Sequence, residues 1–459
     1  MSRFKGKIAG IALGGVALSV LFAPASALAI GVLDAYSLAL QKDPTFLAAL
    51  KEKEAGDENK NIGLAGLLPK VSLSYQNSPK NWQKVTSPQA VNIFSNETID
   101  VTTRQQYRSY SGSVTLTQPL IDYAAYARYR SGVAQTLMSD ERFRGKFMDL
   151  AVRVVSAYVD VAYARDQIAL AEAQKTAYQE QLALNDRLLN AGEGTVTDVS
   201  ETQARFSLAE AQAIEARDAL DAAQRELEVM IGLPLEQLET LRVLRPGKFE
   251  VAPLLPASFE EWRKMAIASN PTLAAARQGV DVAKYEVERN RGGFFPQVQL
   301  YASHSENDSS SDNTVNQKYR TNSIGIQVSV PIYAGGGVAA STRQAAASYG
   351  QAMYEMDAQV GTTLNDLRKQ FNLCLSSRAK LAAYELAVKS ATTQVEATRK
   401  SVLAGQRVNV DVLNAEQQLY SAKRDLASAK YTYIKAWVSL LNDAGTLDRE
   451  HIQQIAKYF

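Results

Sequence analysis

The sequence predicts a membrane protein of mixed helix and strand, in which four strands from each chain form part of a closed β-barrel and long helices continue that barrel as a coiled coil. Three features support this fold class: an internal two-fold repeat, two pairs of prolines that bracket strand-like sequence, and long segments with apolar residues at heptad spacing. Alternation of apolar and polar residues is typical of a barrel wall, whereas sustained heptads indicate packed helices.

Residues 1–29 carry the pattern of a secretory signal. A basic start precedes an apolar run from Ile8 to Phe22, and Ala27-Leu28-Ala29 supplies a small-residue cleavage site. The alternative is a retained transmembrane helix, which is disfavoured because the apolar run is shorter than the roughly 20 residues that a spanning helix needs. We therefore expect the signal to be removed and the mature chain to begin at Ile30.

Composition limits the classes of function that the chain could have. The formal net charge is +2, and so near-neutral a balance gives no indication of nucleic-acid binding. The single cysteine, Cys374, excludes an intramolecular disulfide and occupies an apolar helical position, where we expect a small buried side chain. The histidines His304 and His451 are far apart, and the sequence contains no metal-ligand cluster, phosphate-binding glycine loop or nucleophile elbow. These observations predict a protein that is not an enzyme and needs no cofactor.

The internal repeat divides the chain into two halves. Pro296 lies 227 positions after Pro69 (296 minus 69), and Pro331 lies 212 positions after Pro119 (331 minus 119). The offset then settles at 213 in the helical sequence that follows. A unit that recurs in this way forms half of a structure and does not close alone. The predicted boundaries are a first repeat over 30–231, a linker over 232–258, a second repeat over 259–445 and a C-terminal tail over 446–459.

Each half contains one predicted strand pair, over about residues 70–120 and 297–333. Apolar and polar residues alternate along both segments, and the polar stretches 77–108 and about 306–321 predict exterior loops. Proline cannot donate a hydrogen bond to a strand ladder, and an antiparallel arrangement brings two strand starts and two strand ends to one rim. The prolines expected at that rim are Pro69, Pro119, Pro296 and Pro331.

Each half also contains a predicted helical hairpin, over about residues 121–231 and 336–445. The helical segment from about Tyr123 to Asn190 would extend roughly 100 Å at about 1.5 Å per residue, which is the size of a cell-envelope compartment. Glycine-bearing turns, Asn190-Ala191-Gly192 and Ala404-Gly405-Gln406, reverse the chain at matching positions of the two halves. The tips of both hairpins should therefore point away from the strands.

Four strands are too few to close a barrel in a membrane. An open sheet in a bilayer would leave the polar backbone groups of its edge strands without partners, at a cost of several kcal/mol each. Closed membrane barrels begin at about eight strands, so a dimer would give a filled lumen, whereas a trimer with twelve strands would surround a channel. We therefore predict a homotrimer embedded in membrane lipid.

In this order the motifs resemble the TolC family of outer-membrane channel proteins. The resemblance covers essentially the whole mature chain and rests on Asp34-Ala35-Tyr36, Asp43-Pro44-Thr45-Phe46, both proline-marked hairpins and Val410-Asp411-Val412-Leu413-Asn414-Ala415. It implies a trimeric 12-stranded barrel in the outer membrane, continued by a periplasmic α-helical tunnel. It also implies a passive exit duct that docks through its tips to a periplasmic membrane-fusion adaptor and an inner-membrane ABC exporter or proton-driven pump. The tip residues that would contact the adaptor are Asn190, Ala191, Gly192, Ala404, Gly405 and Gln406.

The resemblance further implies a gate at the periplasmic end. The first position of the family's aspartate ring matches Asp411 and the second matches Asn414, so the ring of a trimer would carry half the usual charge. Arg407 matches the basic residue that links the gate, whereas the family's partner tyrosine is replaced by Val402. We expect Asp198 as the acceptor for Arg407, because Asp198 occupies the position in the first repeat that Asp411 occupies in the second. Like carboxylates that converge on an axis repel one another and attract cations. The alternative for both aspartates is a helix N-cap, because each lies where a helix restarts after a turn.

More than one class of function fits these features. The predicted mature start carries no cysteine for lipid attachment, which favours type I protein secretion or a general TolC-type role over a dedicated multidrug efflux channel. A structural envelope protein, with the coiled coil as a spacer, would explain the heptads. It would not explain paired prolines around amphipathic strands.

Overall fold

The structure is a computed structural model of the 459-residue chain. It describes residues 30–91, 98–234, 241–242, 244, 249–251, 253–311 and 317–459, so the predicted signal lies outside the described residues. The helices are α1 (Val32–Lys42), α2 (Pro44–Leu64), α3 (Tyr123–Asn190), α4 (Val196–Ile231), α5 (Phe259–Ser269), α6 (Pro271–Arg291), α7 (Gly337–Leu403), α8 (Asn409–Asp443) and α9 (Arg449–Ala456). The strands are β1 (Lys70–Val91), β2 (Thr98–Ile121), β3 (Gln297–Ser309) and β4 (Lys318–Ser329).

Each repeat has an early helix that begins with proline and is capped by a short polar side chain. Oδ2 of Asp43 accepts from the N–H of Phe46 at 3.0 Å at the start of α2, and Oδ1 of Asn270 accepts from the N–H of Leu273 at 3.1 Å at the start of α6. Proline suits the first helical position because the N–H there has no partner within the helix. The same local signal therefore starts the same element in both halves.

The strands form one antiparallel sheet in the order β1-β2-β3-β4. The two repeats meet in its middle, where Leu116 of β2 lies opposite Ala302 of β3. Within the described part of the chain, β1 and β4 are the edges of the sheet. Apolar side chains on these edge strands are left open, since Leu73 is 77% and Ile324 is 78% exposed. The chain thus carries an unclosed sheet with apolar surface, as the sequence predicts.

The strands are longer than the sequence predicts. Residues 77–108 and 306–321 are expected to form loops, but β1 and β2 continue through most of the first stretch, and β3 and β4 enter the second. Polar strands persist there because side chains on opposite strands bond one another. The hydroxyl oxygens of Thr86 and Thr102, for example, lie 3.1 Å apart. The prediction of long loops is therefore wrong.

The four prolines lie at one end of the sheet. Pro69 and Pro296 come directly before β1 and β3, Pro119 lies near the end of β2 beside a register shift, and Pro331 follows β4. Because neighbouring strands are antiparallel, these strand starts and strand ends lie at the same end of the sheet, where the chain continues into the long helices.

The long helices form two hairpins, α3 with α4 and α7 with α8. With 68 residues, α3 extends about 100 Å. The main core joins both hairpins, and it includes Tyr158 of α3 and Ile434 of α8, which are fully buried. The C-terminal residue completes this core, because Phe459 is 2% exposed and its ring lies 5.1 Å from that of Tyr158. Cys374 of α7 is buried in the same core, as expected for a small apolar residue, and burial raises the pKa of its thiol to about 12.

None of the helices in the described part of the chain combines the length and the apolar character needed to cross a membrane.

Candidate functional site at the helical tips

The two hairpin tips share one turn geometry. α3 ends at Asn190 and α7 ends at Leu403, and a glycine with positive φ follows each helix, Gly192 at +79° and Gly405 at +69°. Glycine adopts this backbone without strain and lets the chain reverse after the last helical turn. In both turns the N–H of the next residue donates back to the end of the helix at 2.9 Å. The six tip residues expected to contact an adaptor, 190–192 and 404–406, are all exposed in the chain.

Asp411 and Asn414 lie near the start of α8, three residues apart. Asp411 is half-buried in the first turn, and Asn414 is exposed in the next. Arg205 of α4 reaches this second position, because its Nη2 donates to Oδ1 of Asn414 at 3.1 Å and its Nη1 donates to Oε1 of Gln417. The amide of Asn414 is therefore tied to the first hairpin. Sequence reasoning does not identify Arg205, since only the packing of α4 beside α8 brings it to Asn414.

Arg407 and Asp198, the expected gate link, lie on different tips. Arg407 is exposed in the turn before α8, and Asp198 lies in the first turn of α4. The carboxylate of Asp198 accepts from the hydroxyl of Thr195 at 2.6 Å, and that hydroxyl oxygen accepts from the N–H of Asp198 at 3.1 Å. Within the described part of a single chain, no hydrogen bond or ion pair joins Arg407 to Asp198. The bond between Arg407 and Asp198 remains a prediction, and it would have to form between neighbouring chains.

The N-cap alternative for the two aspartates is wrong. The N-cap of α4 is Thr195 and that of α8 is Val408, so Asp198 and Asp411 each lie three residues further on. A carboxylate in the first turn still interacts favourably with the helix dipole. Val408 has no side-chain acceptor, and α8 therefore begins without a capping side chain.

A buried polar cluster, here called the tip network, lies two residues before Asp411. It joins Asn409, the first residue of α8, to Thr202 of α4 and to Gln181 and Asn185 of α3. Nδ2 of Asn409 donates to Oγ1 of Thr202 at 3.1 Å, and Nε2 of Gln181 donates to Oδ1 of Asn409 at 2.8 Å. The hydroxyl of Thr202 also accepts from Nδ2 of Asn185 at 2.7 Å and donates to the carbonyl of Asp198 at 2.7 Å. Sequence reasoning misses this network, because Gln181 and Asn409 are separated by 228 positions.

A buried ion pair ties α7 to α8 above the tip. Glu416 of α8 is 1% exposed, and Nη2 of Arg399 of α7 donates to its Oε1. Within the described chain, Oε2 of Glu416 has no hydrogen-bond partner. Removal of the arginine would leave a buried charge without compensation, which is strongly unfavourable. The second hairpin is therefore held together internally, whereas the tip network connects it to the first.

Val402 faces the first hairpin across a small cleft. The cleft has a volume of about 220 Å³, and its lining includes Ala177, Gln181 and Leu184 of α3 beside Val402 and Leu403 of α7. A larger side chain at position 402 would therefore contact α3. At the tips, the hairpin of α3 and α4 thus packs against the hairpin of α7 and α8, and side-chain hydrogen bonds connect the two. Among the described residues, no group of His, Cys, Asp and Glu side chains could hold a metal ion.

Comparison with known proteins establishes the family. A model of the family described as outer membrane efflux protein matches residues 35–233 and 262–446. The chain is 50% identical over 435 residues to the alkaline protease secretion protein AprF of Pseudomonas aeruginosa, covering 94% of this chain and 88% of AprF. It is 45% identical over 434 residues to the proteases secretion protein PrtF of Dickeya chrysanthemi, covering 95% of this chain and 92% of PrtF. The chain belongs to the outer membrane efflux protein family.

The resemblance to TolC proteins is confirmed in sequence and in fold. The outer membrane protein TolC of Vibrio cholerae is 27% identical over 423 residues, covering 92% of each chain. The crystal structure of the outer membrane protein VceC of Vibrio cholerae matches with a TM-score of 0.75 at 15% identity, covering 90% of this chain and 96% of VceC. That structural likeness shows the fold, and it confirms the predicted fold class. Family and fold together define an outer-membrane exit duct.

Proposed function

We propose that the chain forms the homotrimeric outer-membrane duct of a type I secretion system, through which an inner-membrane ABC exporter passes proteins, including proteases, to the exterior. The observation that carries this proposal is the 50% identity with AprF over 94% of this chain, because AprF and PrtF are both named as protease secretion proteins. Nothing in the proposal requires a catalytic step.

The open sheet supports the trimer. Among the residues that the structure describes, the edge strands β1 and β4 have no strand beyond them, and a bilayer offers their backbone groups no water. Three copies place β4 of one chain beside β1 of the next and close twelve strands around a channel. The helices also expose large apolar side chains that neighbouring copies would cover, among them Leu208, Leu375 and Leu386, which are 60%, 61% and 65% exposed.

The tips supply the gate and the docking surface of this duct. Asp411 of the three chains forms a ring around the axis at the end of the tunnel, and Asn414 forms the next ring. Arg407 of one chain bonds Asp198 of its neighbour, which suits the exposure of Arg407 and the position of Asp198 on the other tip. A periplasmic membrane-fusion adaptor contacts the exposed tip residues 190–192 and 404–406.

An exchange of ducts tests the proposal. The chain is expressed in Pseudomonas aeruginosa that lacks AprF, and protease activity in the culture supernatant is measured. In parallel, drug susceptibility is measured in a strain whose proton-driven pump lacks its own duct. We expect protease secretion to return. Restored drug resistance without protease secretion would overturn the assignment and favour the alternative, a multidrug efflux duct.

A matched pair of glycine variants tests whether the duct docks to the adaptor through its tips. Gly405→Ala places a side chain on a residue with φ +69°, which strains the turn, whereas Gly361→Ala lies in α7 with open space around the added methyl group. We expect Gly405→Ala to lower secretion and Gly361→Ala to leave it unchanged, with equal amounts of duct in the membrane. Equal secretion by the two variants would argue against docking through this turn.

A further inference from the structure

We propose that the lipid-facing side of the β1–β2 hairpin binds the phosphorylated headgroup of an outer-leaflet lipid. The residues that carry the proposal, here called the basic face, are Lys80, Trp82 and Lys84 of β1 with Arg104 and Arg108 of β2. All five side chains are exposed in the chain. The proposal goes beyond the export of proteins, because it concerns the outer wall of the duct and holds for any cargo.

The basic face lies on the side of the sheet that faces lipid. Leu116 of β2 lies directly opposite Val71 of β1 and Ala302 of β3, and residues paired in this way share one face of the sheet. A membrane barrel presents its apolar face to lipid and its polar face to the lumen. Side chains alternate between the two faces along a strand. Arg108 and Arg104 precede Leu116 by even numbers of residues, 8 and 12 (116 minus 108 and 116 minus 104), so they share its outward face.

Charged side chains begin at the same level on the outward face of all four strands. The first Asp, Glu, Lys or Arg there lies 11, 11, 10 and 11 positions from the rim proline of β1, β2, β3 and β4 (80 minus 69, 119 minus 108, 306 minus 296 and 331 minus 320). A tilted strand crosses the hydrocarbon of a bilayer in about 9–11 residues. The first charges therefore lie at the level of the lipid headgroups. They are Lys80, Arg108, Glu306 and Arg320.

The two strand pairs differ in how their cations are compensated. Lys318 and Arg320 of β4 both form ion pairs with Glu306 of β3. Lys84, in contrast, lies directly opposite Arg104, and like charges in such a pair repel one another. Within the part of the chain that the structure describes, no ion pair includes a cation of the basic face. An anion supplied from outside the chain would offset this repulsion.

The spacing of the arginines favours an anion with more than one phosphate. A guanidinium binds a phosphate through two parallel N–H bonds, which makes arginine well suited to this group. Arg104 and Arg108 are four residues apart on one strand, roughly 14 Å at about 3.4 Å per residue. That distance is too great for a single phosphate group, so the basic face fits a large headgroup that carries several.

Trp82 favours a lipid over a free polyphosphate. It lies opposite Gln106, between Lys84 and Lys80 along β1, and its side chain is 77% exposed. Tryptophan is enriched where a membrane meets water, because one part of its ring system is apolar and its N–H is polar. A free polyphosphate would neutralise the cations but leave this ring in water. A lipid whose headgroup binds the cations would also cover the ring.

Tryptophan fluorescence provides the test. The chain has three tryptophans, and Trp262 and Trp437 are only 3% and 9% exposed, so a change in emission on lipid binding reports Trp82. The purified protein in detergent micelles is titrated with lipid A that carries two phosphates, and separately with lipid A from which the phosphates have been removed. We expect the phosphorylated lipid to shift the emission to shorter wavelength at the lower concentration. Trp82→Phe should abolish the shift.

The variant that tests the cations is Lys84→Gln combined with Arg104→Gln. It should need a roughly tenfold higher concentration of phosphorylated lipid A for half of the shift, because each basic residue near a lipid surface contributes to the attraction. Lys70→Gln is the matched control. Lys70 is an exposed lysine of the same strand, but it lies opposite Thr117 on the other face, and its removal should leave binding unchanged.

Three results would overturn the proposal. One is equal binding of phosphorylated lipid A by the double variant and the wild type, with circular dichroism confirming that both are folded. Another is an equal response of the wild type to the two forms of lipid A, which decides the matter even if the double variant does not fold. The third is complete displacement of lipid A by inositol hexakisphosphate, which would make the occupant a free polyphosphate. None of these measurements depends on protease secretion.

Discussion

Nη2 of Arg205 donates to Oδ1 of Asn414 at 3.1 Å, and this contact joins the first hairpin to α8, the helix that carries the proposed gate residue Asp411. A neutral amide accepts from the guanidinium, whereas a carboxylate at the same place would form a stronger, charge-assisted pair with it. A carboxylate at position 414 would therefore have part of its charge offset by Arg205. Asn414, the residue of the proposed second ring, is thus connected to α4 as well as to its own helix.

Asn414→Asp should add less charge to the gate than the substitution suggests. Arg205 would pair with the new carboxylate, so we expect Mg²⁺ to block the channel only slightly more strongly than it blocks the wild type. Asn414→Asp combined with Arg205→Gln should bind the blocking ion roughly tenfold more tightly, since a tenfold change requires only about 1.4 kcal/mol. The measurement is the half-blocking Mg²⁺ concentration in planar bilayers, with Arg205→Gln alone as the control. Equal block in the single and double variants would show that Arg205 does not shield position 414.

Asp411→Ala should raise conductance and weaken block by divalent cations. Two unit charges about 4 Å apart at an effective dielectric constant of about 20 interact by about 4 kcal/mol, so a ring of carboxylates is a strong cation site. We expect the half-blocking concentration of Mg²⁺ to rise at least roughly tenfold, because that change requires only about 1.4 kcal/mol. The control is Asp425→Ala, which removes a carboxylate from the same helix further from the tip. Unchanged recordings from Asp411→Ala would refute the gate.

Val402→Tyr should favour the closed duct. The cleft of about 220 Å³ beside α3 can receive an aromatic ring, and burial of a large apolar side chain contributes about 1.5–3 kcal/mol. We expect fewer openings than in the wild type, measured in planar bilayers. Val408→Tyr, a change of the same type at an exposed tip position, serves as the control. More frequent openings of Val402→Tyr would mean that the ring separates the hairpins.

Stability should depend on pH through Asp443 of α8. Burial, together with the nearby carboxylate of Asp366, raises the pKa of Asp443 from 3.8 to about 7. The folded state then binds a proton more readily than the unfolded state between about pH 4 and 7, so the free energy of unfolding should fall as pH rises through this range. Asp443→Asn should flatten that dependence and raise the unfolding midpoint at pH 8. The measurement is the unfolding midpoint of the solubilised protein at pH 5 and pH 8, followed by its helical circular dichroism signal. An equal change in midpoint with pH for the variant and the wild type would show that Asp443 is not the group responsible.

Local signals predict the elements of this fold well. Asp43 with Pro44 and Asn270 with Pro271 mark the starts of α2 and α6, because capping depends on neighbours three residues away. The polarity of a segment predicts strand length poorly. The hydroxyl groups of Thr86 and Thr102 hydrogen-bond each other across β1 and β2, so these polar residues lie in strands where the sequence predicts a loop.

The contacts at the tips depend on tertiary packing and are harder to predict. Asp198 has the local setting of an N-cap, but Thr195, three residues earlier, takes that role. Arg205 and Asn414 are 209 positions apart, and no sequence pattern connects them. The internal repeat predicts which helices form each hairpin. The side chains that differ between the two repeats determine which contacts join one hairpin to the other.

The number of chains in one channel tests the central claim most directly. Native mass spectrometry of the purified protein in lipid nanodiscs counts them without reference to any gate residue. Closure of the edge strands β1 and β4 by neighbouring copies predicts particles of three chains. Particles that contain a single chain would contradict the account.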